Sequence, residues 1–270
     1  MTLIFDLHTH TRYSRSPVHH HAKGTVAENV QAAARQNIGL GIAEHGPGHA
    51  LFGVRVKEYP RLRADIDAAN AAMGKKVALL GIEANLMGAD GKTDFDLLPI
   101  KPDFCLMGYH KGANIQGKAG VRLMIPALLR PKACRILMTD AVIRALSRYP
   151  IDVLTHPGEY VPIDLPAVAK AASELGVVLE LNSKHPLSVK DIHIALSEGA
   201  HFILSSDAHV PENVGAVRAA LAEAERAQIP KERIVNAGCY RFDRGLRIDR
   251  LGGWASQFSP LFHRTDLSPA

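Results

Sequence analysis

Apolar runs of strand length alternate along this chain with amphipathic segments of helical spacing. Strands are predicted over Leu3–Asp6, Ile38–Ala43, Val77–Ile82, Phe104–Tyr109, Val153–Thr155, Val177–Leu181 and Phe202–Ser206. Each run is largely apolar rather than alternating, as expected of strands buried on both faces. Helices are predicted over Thr25–Gln36, Glu58–Met73, Thr139–Ser147, Asp164–Leu175, Ser188–Ser197 and Asn213–Gln228, several opening on a Ser, Thr, Asp or Asn cap. Seven strands alternating with helices predict an α/β fold, a seven-stranded (β/α)7 TIM-like barrel whose chemistry gathers at the carboxyl ends of the strands.

Composition adds bounds. The 270 residues, 47% of them hydrophobic, suit one domain over 1–270 with a core near 3–238. The tail, about 246–270, is weakly periodic and receives no function. Cys105, Cys134 and Cys239 are too scattered for a disulfide framework or a cysteine-based metal knuckle, which favours a reducing compartment. The first residues lack the pattern of a secretory signal and no apolar run reaches membrane-spanning length, so a cytoplasmic protein is expected. The net charge of +5 is modest but uneven: the stretch from Lys111 to Thr139 carries six basic residues and no acidic one. Such a stretch is read equally well as an attractor for a phosphorylated substrate or as a solvated connection. Its apolar members, Val121, Leu123, Met124, Ile125, Leu128 and Leu129, also suit a lid or a subunit contact.

The polar residues that follow the apolar runs change the picture most. Asp6-Leu7-His8-Thr9-His10, His19-His20-His21, Glu44-His45-Gly46, Glu83, His110, His156-Pro157-Gly158 and Asp207-Ala208-His209 nearly all stand where a strand ends. Imidazole and carboxylate are ligands for zinc, manganese and iron, and strand ends on one barrel rim bring distant residues together. His8 and His10 lie two apart, so one strand face presents both; Asp207 and His209 repeat that spacing at the last strand. His49, His185, His193, His201 and His263 lack such placement and are read as structural or surface histidines, His185 least securely because it follows the sixth strand. Glu44 should point away from its neighbour His45. Arg12, Lys111, Asn182 and Lys184 are candidate substrate contacts, each also readable as an ordinary surface residue.

With these residues assembled, the chain resembles the PHP family, the polymerase and histidinol phosphatase superfamily of metal-dependent phosphoesterases. The resemblance runs from about Leu3 to Gly238 and rests on Asp6-Leu7-His8-Thr9-His10-Thr11, Glu44-His45-Gly46, Thr155-His156-Pro157-Gly158 and Ser206-Asp207-Ala208-His209, with Gly81-Ile82-Glu83-Ala84-Asn85 and Gly108-Tyr109-His110 between them. It implies a distorted seven-stranded barrel holding three divalent metal ions (Zn, Mn or Fe) on nine ligands. His8, His10, Glu83 and Asp207 would hold one ion; Glu83 would bridge to a second completed by His110 and His156; an early-loop histidine, His45 and His209 would hold a third. The family's usual place for that loop histidine is taken here by Ser16, and the triplet His19-His20-His21 follows a short insertion. His21, which leads into the first helix, is the choice, with His19 and His20 as alternatives.

The expected activity is hydrolysis of a small phosphomonoester, histidinol phosphate among the candidates, by a metal-bridging hydroxide, with Glu83, Asp207 and His209 at the reaction centre. No Cys-x5-Arg or Walker-type phosphate loop is present. An amidohydrolase ranks lower, because it would usually have eight strands and a bridging lysine. A 3'-5' exonuclease or nucleotide phosphodiesterase ranks lower too, for want of base-stacking aromatics and of a strong basic excess, so no nucleic-acid partner is expected. A non-catalytic metal-binding module is disfavoured by the full ligand set.

Overall fold

The computed structural model describes residues 1–14, 20–113, 134–238 and 240–258. Seven strands pair in sequence order, all in parallel: β1 (Phe5–Thr9), β2 (Gly39–His45), β3 (Ala78–Asn85), β4 (Phe104–Gly108), β5 (Val153–Leu154), β6 (Val178–Asn182) and β7 (Phe202–Ser205). Around them lie α1 (Val26–Arg35), α2 (Tyr59–Ala72), α3 (Arg135–Arg148), α4 (Leu165–Glu174), α5 (Val189–Ser197) and α6 (Arg218–Arg226). The β3–β4 connection carries a 3-10 turn, Asp94–Leu97, instead of a helix. The expected TIM-like barrel is the fold observed.

Local chemistry sets the helix starts. Thr25 caps α1 in a reciprocal box with Glu28, while Asp164 and Ser188 cap α4 and α5 by accepting from Ala167 N and Asp191 N. Each such cap contributes about 1 kcal/mol. Helix α6 is shorter than its periodicity suggests, because Pro211–Asn213 forms a 3-10 turn and Gly215 takes φ +75° ahead of it.

Closure between β7 and β1 is nearly complete. At the top, His10 N donates to Ala208 O and Ala208 N to His8 O. Beside them the buried Asp6 carboxylate accepts from Ser206 Oγ, Ser206 N and Gly215 N. Lower down the seam is bridged by Asn236, whose amide donates to Phe5 O and Leu204 O and accepts from Leu204 N. A motif that carries candidate ligands therefore also latches the barrel.

Alternation divides the strands between two environments. Outward residues such as Leu80, Cys105, Leu154, Leu179 and Leu204 pack under the helices, while Phe5, Leu79, Phe104, Leu106, Val153, Val178 and Ile203 fill the lower interior. That interior is sealed from below by the C-terminal segment: Ile248, Leu251, Trp254, Ala255 and Phe258 are buried against it, Ala255 and Trp254 within α7 (Gly252–Ala255). Trp254 packs on Phe5 at 5.5 Å and donates to Lys76 O. Gly39 lies against this indole, where a Cβ would come within 2.6 Å of two ring carbons. The described part of the tail, 246–258, reads as featureless in sequence and is the floor of the barrel. Among the described residues no helix is long and apolar enough to cross a membrane.

Candidate metal centre

The inward phase that is apolar at the bottom turns polar at the top. On β3 the series Leu79, Gly81 ends in Glu83, and on β7 Ile203 and Ser205 are followed by Asp207. His8 and His10 project to the same place, their rings 5.1 Å apart, across an irregularity in β1–β2 pairing between Asp6 and Thr9. Glu83, 1% exposed, is the hub. Its Oε1 lies 2.9 Å from His110 Nε2, 3.1 Å from His156 Nε2 and 3.3 Å from His8 Nε2; its Oε2 lies 2.8 Å from His45 Nδ1 and 3.6 Å from His10 Nε2. Asp207 Oδ1 stands 3.4 Å from His10 Nε2 and 3.8 Å from His8 Nε2. His209 Nε2 is 2.7 Å from His21 Nε2. Three triads have donor atoms close enough to share an ion: His8, His10 and Asp207; His10, His45 and His209; His45, Glu83 and His110. Sharing His10 and His45, they form one continuous field of ligands.

Two strand ends are bent to make this possible. His156 has φ +29° and Asp207 φ +53°, in the left-handed region that non-glycine residues seldom occupy and that tends to be held at functional sites. Gly108 lets His110 and His156 approach: a Cβ there would stand 2.9 Å from His156 Cε1 and 2.7 Å from Thr155 Cγ2.

A buried polar layer orients the imidazoles. His8 Nδ1 contacts Glu180 Oε1 at 2.5 Å, so the ring donates there and turns the Nε2 lone pair toward Glu83 and Asp207. Glu180 is fully buried and also accepts from Ser205 Oγ, Thr155 Oγ1 and His156 N. Likewise His110 Nδ1 meets Asn85 Oδ1 at 2.8 Å, and the Asn85 amide is tied to Asp94. Carboxylate or amide partners of this kind fix tautomer and direction. Sequence reasoning missed Glu180 and Asn85; the signal available was a lone carboxylate within Val178-Leu179-Glu180-Leu181, in phase with Asn182.

Electrostatics favours the ligating forms of both carboxylates and of His10, His21, His110 and His209. Burial opposes ionisation of Glu83, but the imidazoles of His110, His8 and His45 outweigh it and hold the carboxyl well below its usual range. Asp207 is likewise lowered against burial, by His8 and His10. Burial, reinforced by neighbouring imidazoles, depresses His10 strongly and His21 to about 3. Burial takes His209 to about 4. His8 is raised despite burial, by Glu180, Glu83 and Asp207, which marks a place where positive charge is favoured.

No protein-family model matches the chain. A probable phosphatase of Shewanella sp. strain ANA-3 is 31% identical over 249 residues, covering 86% of each chain. A probable phosphatase of Proteus mirabilis is 31% identical over 248 residues, covering 86% of this chain and 89% of the relative. The chain belongs to this phosphatase family. In fold it is also similar to a solved histidinol phosphate phosphatase from Lactococcus lactis, complexed with zinc, L-histidinol and phosphate, at 14% identity and a TM-score of 0.57 over 83% of this chain and 93% of the other.

In the phosphatase the residues expected at the substrate fall in different settings. Lys184 Nζ lies at the rim, 3.6 Å from Asp207 Oδ1 and 2.5 Å from His209 Nδ1. Lys111 is exposed, its Nζ 5.8 Å above the Tyr160 ring. Arg12 is exposed and lines a separate recess of about 270 Å³ with Tyr13, Glu58 and Arg61. Asn182 is fully buried in the wall of the site, where it donates to Glu180 and Asp207 and accepts from Lys184 N and His185 N. Glu44 faces away from the centre, accepting from Thr11 and Ser14. His185 pairs with Glu159 at 3.0 Å, and His193 bonds Ala227 O. His20 is exposed; His19, Cys239, His263 and most of the basic stretch, 114–133, lie outside the described residues.

Proposed function

We propose that this phosphatase is a metal-dependent phosphomonoesterase of PHP type, using three divalent ions drawn from zinc, manganese and iron on His8, His10, His21, His45, Glu83, His110, His156, Asp207 and His209. One observation carries the reading. Among the described residues nine buried side-chain polar atoms make no hydrogen bond of good geometry, and seven belong to this cluster: His8 Nε2, both ring nitrogens of His10 and of His45, Glu83 Oε2 and Asp207 Oδ1. Leaving such atoms unpaired costs roughly 1–3 kcal/mol each. Lone pairs gathered at contact distance around two carboxylates are what cations satisfy, and the donor set of imidazole and carboxylate suits transition metals.

Ions bound there would neutralise phosphoryl oxygens and acidify water for attack at phosphorus. The chain's own residues do the rest. Glu180 and Asn85 hold His8 and His110 with their Nε2 atoms inward, and Asn182 steadies Asp207. Lys184 at the rim offers a cation to an incoming phosphate, with Lys111 further out. Cys105 and Cys134 are buried in the packing under the helices, away from the role of covalent nucleophile. A small phosphomonoester fits this arrangement, and histidinol phosphate is the first compound to assay. The test is a panel of phosphomonoesters with metal-analysed protein. Phosphate release that requires metal is expected; absence of release from every member of the panel by fully metallated protein would overturn the proposal.

A further inference from the structure

His21 stands shortly before α1, and its ring is packed by side chains from other parts of the chain. The backbone after it is anchored: Lys23 N donates to His209 O and Ala22 N to Ser14 O. These bonds fix where the residue starts. Phe52 packs on the face of the imidazole. Its ring lies parallel to the His21 imidazole, centroids 3.9 Å apart and planes within 9°. On the edge of the same imidazole His209 stands at 87°, with the two Nε2 atoms 2.7 Å apart. A face held by a phenyl ring leaves the edge to a ligand.

Phe52 is itself held from behind. His49, 5% exposed, stacks on the phenyl ring at 4.9 Å and 14°, and its Nδ1 accepts from the Phe52 and Leu51 amides. Its Nε2 meets Lys111 O at 3.2 Å, and Ala50 N donates to Gly112 O, which ties this turn to the loop beyond His110. A column of three rings, His49, Phe52 and His21, thus runs from the β4 loop to the third-ion end of the centre. His49, set aside in sequence as a structural histidine, is the base of this column.

We propose that Phe52 is the positioning residue for His21, stacking on the imidazole so that Nε2 stays turned toward His209, with His49 clamping Phe52 in place. The proposal rests on the reading of His21 as a ligand of the third ion. A stacked aromatic pair contributes about 0.5–1.5 kcal/mol beyond its buried area, which corresponds to roughly 2- to 12-fold in an equilibrium constant.

The experiment is a chelator-competition titration of the holoenzyme with zinc, read as metal ions retained per chain by elemental analysis, with thermal stability recorded alongside. Phe52→Ala is expected to weaken one ion by roughly 2- to 12-fold while the other two titrate as in the unaltered protein. Phe52→Tyr, which keeps the stacking ring, should restore the third ion. His49→Ala should act in the same direction as Phe52→Ala, and Leu51→Ala, on the same turn but 53% exposed, should change nothing. Unaltered titration in Phe52→Ala, or loss of all three ions in step with a lowered melting temperature, would overturn the proposal. His21→Ala separates the two levels. If it sheds no ion, the ligand reading falls and takes the proposal with it; if it sheds one while Phe52→Ala sheds none, only the positioning role falls.

Discussion

The upper and lower halves of the barrel use the same strands and the same alternation for opposite ends. Below, inward positions carry Phe5, Leu79, Phe104, Val178 and Ile203, closed off by Trp254 and its neighbours. Above, the same phase carries Glu83, Glu180, Asn182, Ser205 and Asp207, joined by the seven histidines of the cluster, and buried polar atoms there make no hydrogen bond of good geometry. The lower half is dominated by apolar packing and supplies stability. The upper half breaks several, with unpaired buried atoms, left-handed His156 and Asp207, and a high density of carboxylates, and that concentration of local cost is what marks a functional site. Folding free energy from the floor is what allows the roof to be strained.

The sharpest way to break this division is at Glu83. Glu83→Ala should reduce phosphate release by on the order of a thousandfold or more, with circular dichroism unchanged, because the hub of the ligand field is lost while the apolar floor is intact. Rates near those of the unaltered protein would remove the upper half's assigned role. The converse test is Trp254→Ala, which empties part of the floor. It should lower stability by about 3–4 kcal/mol in denaturant titration and leave turnover per folded molecule unchanged. A specific loss of kcat without loss of stability would show that the halves are not separable in this way.

A smaller effect is expected at the layer between them. Glu180→Gln keeps the shape and one acceptor but removes the charge that orients His8, and should cost about 10- to 100-fold in activity or metal affinity. Full activity with full metal content would reduce Glu180 to a packing element. The smallest effect is expected at His20, which is exposed. His20→Ala should alter neither metal content nor rate, whereas His21→Ala should shed one ion; the reverse pattern would move the loop ligand by one residue.

Legibility in the sequence followed the same division. The strands and capped helices were readable because apolar runs bounded by Thr25, Asp164 and Ser188 leave few alternatives, and the barrel follows from their order. His8, His10, His45, His110, His156, Asp207 and His209 were readable because polar residues at the ends of apolar runs stand out. Glu180 was not, since a single carboxylate inside an apolar strand looks like noise until its phase with Asn182 is considered. The floor was not either: Arg247–Leu251, Gly252–Ala255 and Ser256–Phe258 are successive short helical turns, too brief to show a period. The column of His49 and Phe52 is built from a turn whose geometry depends on a distant loop, and no local pattern announces it.

On the proposed function, the unpaired atoms of the upper half belong to a multinuclear metal centre that hydrolyses phosphate esters. Elemental analysis of protein supplemented with zinc and manganese, paired with phosphate release before and after chelation, addresses it directly. Three ions per chain, lost together with activity on chelation and regained with it, is the predicted result. One ion or none per chain, or phosphate release that survives complete metal removal, would contradict it.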